Sequence, residues 1–172
     1  MTPKNLSQDR LKKLLSYDPQ TGLFTRLARP GKRSDLVGTI AGSPSNQGYI
    51  LINVDNQKYR AHRLAWFYVT GRWPSALLDH RNRLKDDNRW DNLREATKAQ
   101  NEQSKAPSSI NTSGTKGVAW SRATKKWQAY IDHPGIARHI GVFESFKDAV
   151  AARRSKEQQI FGDYAYRDEV QA

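Results

Sequence analysis

Leucines at positions 11, 14 and 15 fall on one stripe of a 3.6-residue period, so residues 7–17 are predicted to form a short amphipathic helix ended by Asp18-Pro19. The apolar spacing then tightens to that of strands over 22–27, 36–41 and 49–54, and Asp55-Asn56 turns the last of these into a strand over 58–61. The helical period returns over 62–70, with Leu64, Ala65, Phe67 and Tyr68 on its buried side and Gly71 and Pro74 closing it. Residues 77–81 read as a strand and 92–101 as a helix. From 102 to 116 one large apolar residue, Ile110, stands among small and polar neighbours, which is the composition of a linker. Strands follow over 117–120, 126–131 and 138–143, then a helix over 145–161 in which Ser145 and Asp148 make a capping-box pattern. Alternation turns Trp127, Ala129 and Ile131 toward that helix and Gln128, Tyr130 and Asp132 to the other face. The expected architecture is α+β, with one domain at 1–104, a linker at 105–115 and a second domain at 116–172. The second domain is expected to be a three-stranded antiparallel sheet packed on one helix.

Composition narrows the partner. The 172 residues hold 29 Lys plus Arg against 17 Asp plus Glu, a formal charge of +12. Such a surface gains from releasing counterions off a polyanion. No apolar run is long enough to span a bilayer and no secretory pattern opens the chain, so no membrane partner and a cytoplasmic setting, in a bacterium or an infected host cell, are expected. The absence of cysteine excludes disulfides and a cysteine-based zinc knuckle, which leaves packing to hold the core.

The candidate chemistry lies in four polar residues. Asp79 and His80 are adjacent, with Asn92 and Asn101 following at short intervals. A phosphodiester resists attack because its charge repels nucleophiles and its alkoxide leaves poorly. A neutral imidazole deprotonates water, and a hard cation held by carboxylate and amide oxygens offsets the developing charge. The plainer alternative is that Asn92 caps the predicted helix, with Glu95 at its third position.

The runs Leu78-Asp79-His80-Arg81-Asn82 and Asp87-Asn88-Arg89-Trp90-Asp91-Asn92-Leu93-Arg94, with the distal Asn101, resemble the HNH endonucleases, particularly the phage and intron-encoded homing type. The resemblance implies a ββα-metal fold: a two-stranded hairpin, a loop and a helix around one magnesium ion, which manganese can replace, with no structural zinc. It makes His80 the general base, Asp79 and Asn101 the metal ligands, and Asn92 the residue that ties the loop and orients His80. Many relatives have histidine where Asn101 stands. Arg63, Arg89 and Arg94 are candidate phosphate partners. His62 is open between capping its helix and serving as a second active-site histidine.

A second resemblance, to the AP2 DNA-binding domain, rests on Lys116-Gly117-Val118, Lys126-Trp127, Ile140-Gly141-Val142-Phe143 and Phe161-Gly162. It implies a sheet lying in the major groove of duplex DNA, with Lys116, Arg122, Lys126, Gln128, Tyr130 and Arg138 as contacts. Plant members carry arginines where this chain has Ala119 and Ser121, so their base preferences do not transfer. Together the resemblances imply a DNA endonuclease acting as a monomer or homodimer on duplex DNA. The alternative is a non-catalytic AP2-type regulator with a vestigial nuclease domain.

Overall fold

The structure, a computed structural model, describes residues 6–27, 36–105, 107–108, 110–133 and 135–166. They divide into two compact units, one running up to Lys98 and the other starting at Ala99.

In the first unit α1 spans Gln8–Leu14, and its first turn is capped by Ser7, whose Oγ accepts from Arg10 N at 3.1 Å. The helix is shorter than its leucine spacing predicts. Leu15–Tyr17 leaves it to form β1, paired antiparallel with β2, Phe24–Arg26. Leu15 and Tyr17 satisfy a two-residue period as well as a helical one, and the strand buries both. Residues 36–41, expected as a strand, form a short turn and one isolated bridge, Thr25 to Ile40. Next come β3 (Ser43–Pro44), β4 (Ile50–Val54) and β5 (Gln57–Arg60), an antiparallel meander. Its last turn has positive φ at Asp55 and Asn56, 47° and 62°, which matches the twist of a two-residue hairpin. The following helix, α2 (Ala61–Thr70), stops at Gly71, whose left-handed backbone returns its N–H to Phe67 O at 3.0 Å. Leu11, Leu14, Phe24, Ile52, Leu64, Ala65 and Phe67 belong to one core cluster that joins α1, α2 and both small sheets.

The strand pair β6 (Leu77–His80) and β7 (Leu93–Ala96) completes the unit. This corrects the helix predicted over 92–101. Leu-Arg-Glu-Ala has good intrinsic helix propensity, but pairing with β6 buries Leu93, Arg94 and Ala96, and tertiary burial outweighs a preference of a few tenths of a kcal/mol per residue. Only the end of the predicted segment is helical, as α3 (Lys98–Gln103).

The second unit contains β8 (Val118–Ser121), β9 (Lys126–Tyr130) and β10 (His139–Phe143), an antiparallel sheet with β9 in the centre. One helix, α4 (Phe146–Phe161), packs on it, its N-terminus capped by Ser145 Oγ accepting from Lys147 N. Val118, Ala129 and Ala149 form the core there, with Trp127, Ile140, Phe143 and Val150 around them. The ladder pairs Ala119 with Gln128 and Tyr130 with His139, so these side chains share the face opposite α4.

The tip of the β1–β2 hairpin is pressed against the loop that joins β6 to β7. Gly22 has φ +73°, and a Cβ there would stand 2.4 Å from the backbone of both Asn88 and Arg89. Gly22→Ala is therefore expected to destabilise the first unit by at least ~1–2 kcal/mol, from the left-handed backbone alone. A urea unfolding midpoint equal to that of the wild-type chain would show that the tip makes no such contact.

Candidate active site

The site is built on the β6–β7 pair and the loop between the strands. Arg81 N donates to Asn92 O at 2.8 Å and carries the ladder one step past His80. Within the loop, Asn92 is used at both ends of its amide. Its Oδ1 accepts from Asn82 N at 2.9 Å and its Nδ2 donates to Asp87 O at 2.8 Å. Asn82 in turn donates to Asp87 Oδ2 at 2.6 Å and accepts from Leu84 N at 3.0 Å. Arg89 grips the Asp87 carboxylate, Nη2 to Oδ2 at 2.7 Å, and this bond holds the Asp87 carboxyl below the ordinary carboxylate range. Asn92 thus braces a loop and does not cap a helix.

His80 ends β6 in a buried position. Its Nε2 lies 3.4 Å from Asn88 Oδ1, and its ring meets His62 edge-on with centroids 5.0 Å apart. Tyr49 flanks both histidines, at 5.2 Å from His62 and 6.2 Å from His80, with Arg60 and Lys85 lying over its ring. Burial lowers the His80 pKa from its ordinary value, opposed by the Asn88 contact and by Asp79, Asp87 and Asp86, which favours the neutral imidazole. His62 belongs to α2 but does not cap it, because the cap position is Arg60. Its Nδ1 is buried without a hydrogen-bond partner. Burial, with His80, Arg60 and Arg63 adding to it, pushes the His62 pKa down to about 3.

Asp79 faces its cross-strand partner Arg94, whose Nε and Nη2 reach Oδ2 at 3.0 and 2.6 Å. Both side chains are more than nine-tenths buried. Arg94, expected at the DNA backbone, therefore has its guanidinium on Asp79, and removing either partner alone leaves a buried charge at a cost of about 3–5 kcal/mol. Arg63 is half-buried beside Pro74 and Leu77, and Arg89 is exposed on Asp87. A cleft of 590 Å³ opens at the loop, lined by Pro19, Arg81, Arg89, Trp90 and Asn92 among others.

Other predicted site residues lie in the second unit. Asn101 is half-buried on α3, and its carbonyl accepts from Ser104 Oγ at 3.1 Å. Lys116 Nζ donates to Glu102 O at 3.1 Å, at the C-terminal end of the same helix. Lys126 pairs with Glu144 at 2.6 Å. The Arg138 guanidinium lies 5.7 Å from the Tyr130 ring centre, Gln128 stands on the open face, and Arg122 is exposed between β8 and β9.

Residues 59–103 match the HNH endonuclease family model. An HNH-type domain lies there. The match takes in α2, β6, the loop, β7 and α3, and leaves the β1–β2 hairpin outside; it falls within the wider 1–104 span expected from the sequence. Comparisons with curated proteins and with solved structures gave no match.

Three residues of the site were not singled out by the sequence patterns. Asn82 and Asn88 lie inside the motif runs but look like ordinary loop asparagines. Tyr17 contacts the loop from 71 positions away, its Oη donating to Asn88 O at 2.7 Å.

Among the described residues no group of three or more His, Cys, Asp or Glu is placed to hold a metal ion. The set is richer in amide and carboxylate oxygen, which suits a hard cation that keeps its waters and takes few protein ligands. Asp79, the expected ligand, has its Oδ2 bonded to Arg94.

His62 supplies a test of burial. In the folded chain it resists protonation down to about pH 3, whereas the unfolded chain binds a proton from about 6.5 downward. Its contribution is complete above pH 6.5 and is lost as pH falls toward 3, with a slope of at most about 1.4 kcal/mol per pH unit. Urea unfolding at several pH values, compared with His62→Gln, should show the variant lacking this component. Parallel pH dependences in the two proteins would mean that His62 is solvated.

Proposed function

We propose that the chain is a magnesium-dependent DNA endonuclease of the phage or intron homing type. The observation that carries this reading is the buried imidazole of His80 beside the buried Asp79 carboxylate on β6, within the HNH-type domain. Both groups stand on β6, beside a loop whose polar atoms are bonded to one another, which favours a preorganised site.

In the proposed reaction His80 accepts a proton from water, the resulting hydroxide attacks phosphorus, the bond to the 3′ oxygen breaks and that oxygen takes a proton from solvent, while His80 returns its proton to solvent. The products are 5′ phosphate and 3′ hydroxyl ends. Asp79 would hold the cation, and the family resemblance gives Asn101 the same role. Bound magnesium, or manganese in its place, supplies charge neutralisation for the phosphate and the leaving oxygen. Asn92 keeps the loop closed and so keeps His80 in place. Arg94 is better read as a steadying partner of Asp79 than as a phosphate contact. Arg63 and Arg89 remain candidates for the DNA backbone. A single centre of this kind cuts one strand per visit, so a monomer nicks and a double-strand break takes two chains or two visits.

We assign the sheet of the second unit to anchoring on duplex DNA, in keeping with its AP2-like motifs. Its open face offers Gln128 and Tyr130, flanked by Arg122, Lys126 and Arg138, a mix of donors that can reach base edges and phosphates. Lys116, engaged with the end of α3, is the weakest member of that set.

Supercoiled plasmid incubated with the protein is expected to be nicked or linearised with magnesium or manganese and to stay intact with chelator. His80→Ala should cut at least about a hundredfold more slowly while still binding DNA. Full cutting by that variant overturns the assignment of the base. A wild-type chain that binds DNA but never cuts would support the regulator alternative. Replacing Arg122 and Arg138 by alanine should lower DNA affinity and flatten its salt dependence by roughly one unit of slope per lost phosphate contact; unchanged binding removes the sheet from the interface.

A further inference from the structure

We infer that Tyr17 and Asn88 are positioning residues for His80, so that a hairpin outside the HNH-type domain selects the proton-accepting nitrogen of its histidine. The inference rests on the nuclease reading for its consequence, but its geometry stands separately.

Asn88 is 3% exposed, and both ends of its amide are engaged. Nδ2 donates to Asp86 O at 2.9 Å. That bond fixes the flip, because turning the amide over would set two oxygens against each other. Oδ1 is therefore the atom that faces His80 Nε2, at 3.4 Å. An acceptor oxygen there favours a ring whose Nε2 carries the hydrogen, which leaves the lone pair on Nδ1. One amide thus chooses the tautomer.

The Asn92 brace reaches Asp87 O, in the peptide that leads into Asn88, and does not touch the Asn88 side chain. Residues 88–90 are held from the hairpin as well. Tyr17 Oη donates to Asn88 O at 2.7 Å in a buried position, and burial raises the Tyr17 pKa so that the hydroxyl stays a donor. Trp90 N donates to Pro19 O at 2.9 Å. Gly22 lies against the backbone of Asn88 and Arg89, and the Tyr17 ring is fixed by Phe24 and Tyr68 at 4.8 and 5.8 Å. The contact at 3.4 Å is close to the limit of a hydrogen bond, so a shift of a few tenths of an ångström in residue 88 is enough to lose it.

Tyr17→Phe removes only the hydroxyl and keeps the ring packing. With the full chain on plasmid substrate it is expected to lower kcat about tenfold, with KM changed less than about twofold. Asn88→Ala should lower kcat at least as much, and adding Tyr17→Phe to it should cost nothing further, because the hydroxyl acts through the amide. A kcat for Tyr17→Phe within about twofold of wild type, or the same penalty on both backgrounds, overturns the inference. The tautomer is read without any cleavage, from the ¹⁵N shifts of the His80 ring. The wild-type ring should be protonated at Nε2, and the Asn88→Ala ring should be a mixture of tautomers. If the ring is the same in both proteins the positioning role is wrong, whatever His80 does. If His80→Ala still cuts while the tautomer changes as expected, the nuclease assignment fails and the positioning stands.

Discussion

The constraint that governs the site is the burial of six polar side chains around one loop. Asp79, His80, Asn82, Asn88, Asn92 and Arg94 are all nine-tenths or more buried. A buried donor or acceptor without a partner costs about 1–3 kcal/mol, and more if it is charged. A loop with several such groups is stable only in a conformation that pairs most of them at once. The alternatives are expelled by their unpaired groups, and no single bond has to be strong. Asn92 is the most economical part of this arrangement. One amide meets a backbone donor at one end of the loop and a backbone acceptor at the other.

The same burial sets the electrostatics. Burial lowers the His80 pKa, and it strengthens the attraction within the Asp79–Arg94 pair. The pair is also a constraint on chemistry. A carboxylate already bonded to a guanidinium carries less unbalanced charge toward a second cation, so the substrate's phosphate charge becomes part of what any cation there responds to. His62 adds a further condition, since a second protonated imidazole at 5.0 Å would repel charge on His80. Keeping His62 neutral removes that repulsion. Tyr49, with two cations over its ring, packs against both histidines.

How far the sequence revealed the fold depended on whether a segment's pattern admitted one period or two. The spacing over 62–70 and 145–161 is helical only, and both helices form within a residue of their expected bounds. Asp55-Asn56 marks a turn that ordinary residues rarely make, and the hairpin is there. Residues 14–17 satisfy both periods, and the partner strand, nine residues on, decided the matter. Residues 93–96 are helix formers placed in a strand, because the partner that buries Arg94 lies fifteen positions earlier. Spacing drew attention to Asp79, His80 and Asn92, which the fold brings together around one loop. Asn88 and Tyr17 lie in runs that resemble the family but carry no assigned role there, because their contacts are made only once the chain is folded.

This difference separates portable chemistry from local support. The stretch 59–103 contains an imidazole, a carboxylate and a bracing amide, yet it does not bury them by itself. The core beneath α2 is completed by Leu11, Leu14, Phe24 and Ile52, all from before residue 59. The backbone of Asn88 is met by Tyr17 and Gly22, from the same region. Removing the N-terminal 58 residues would therefore do more than shorten the chain. It would expose the apolar face of α2 and return water to the loop, and each polar pair there would weaken as its surroundings became more polar. A short motif of this kind can mark where the reaction groups are. Whether they are buried and held in place depends also on residues that precede the stretch 59–103.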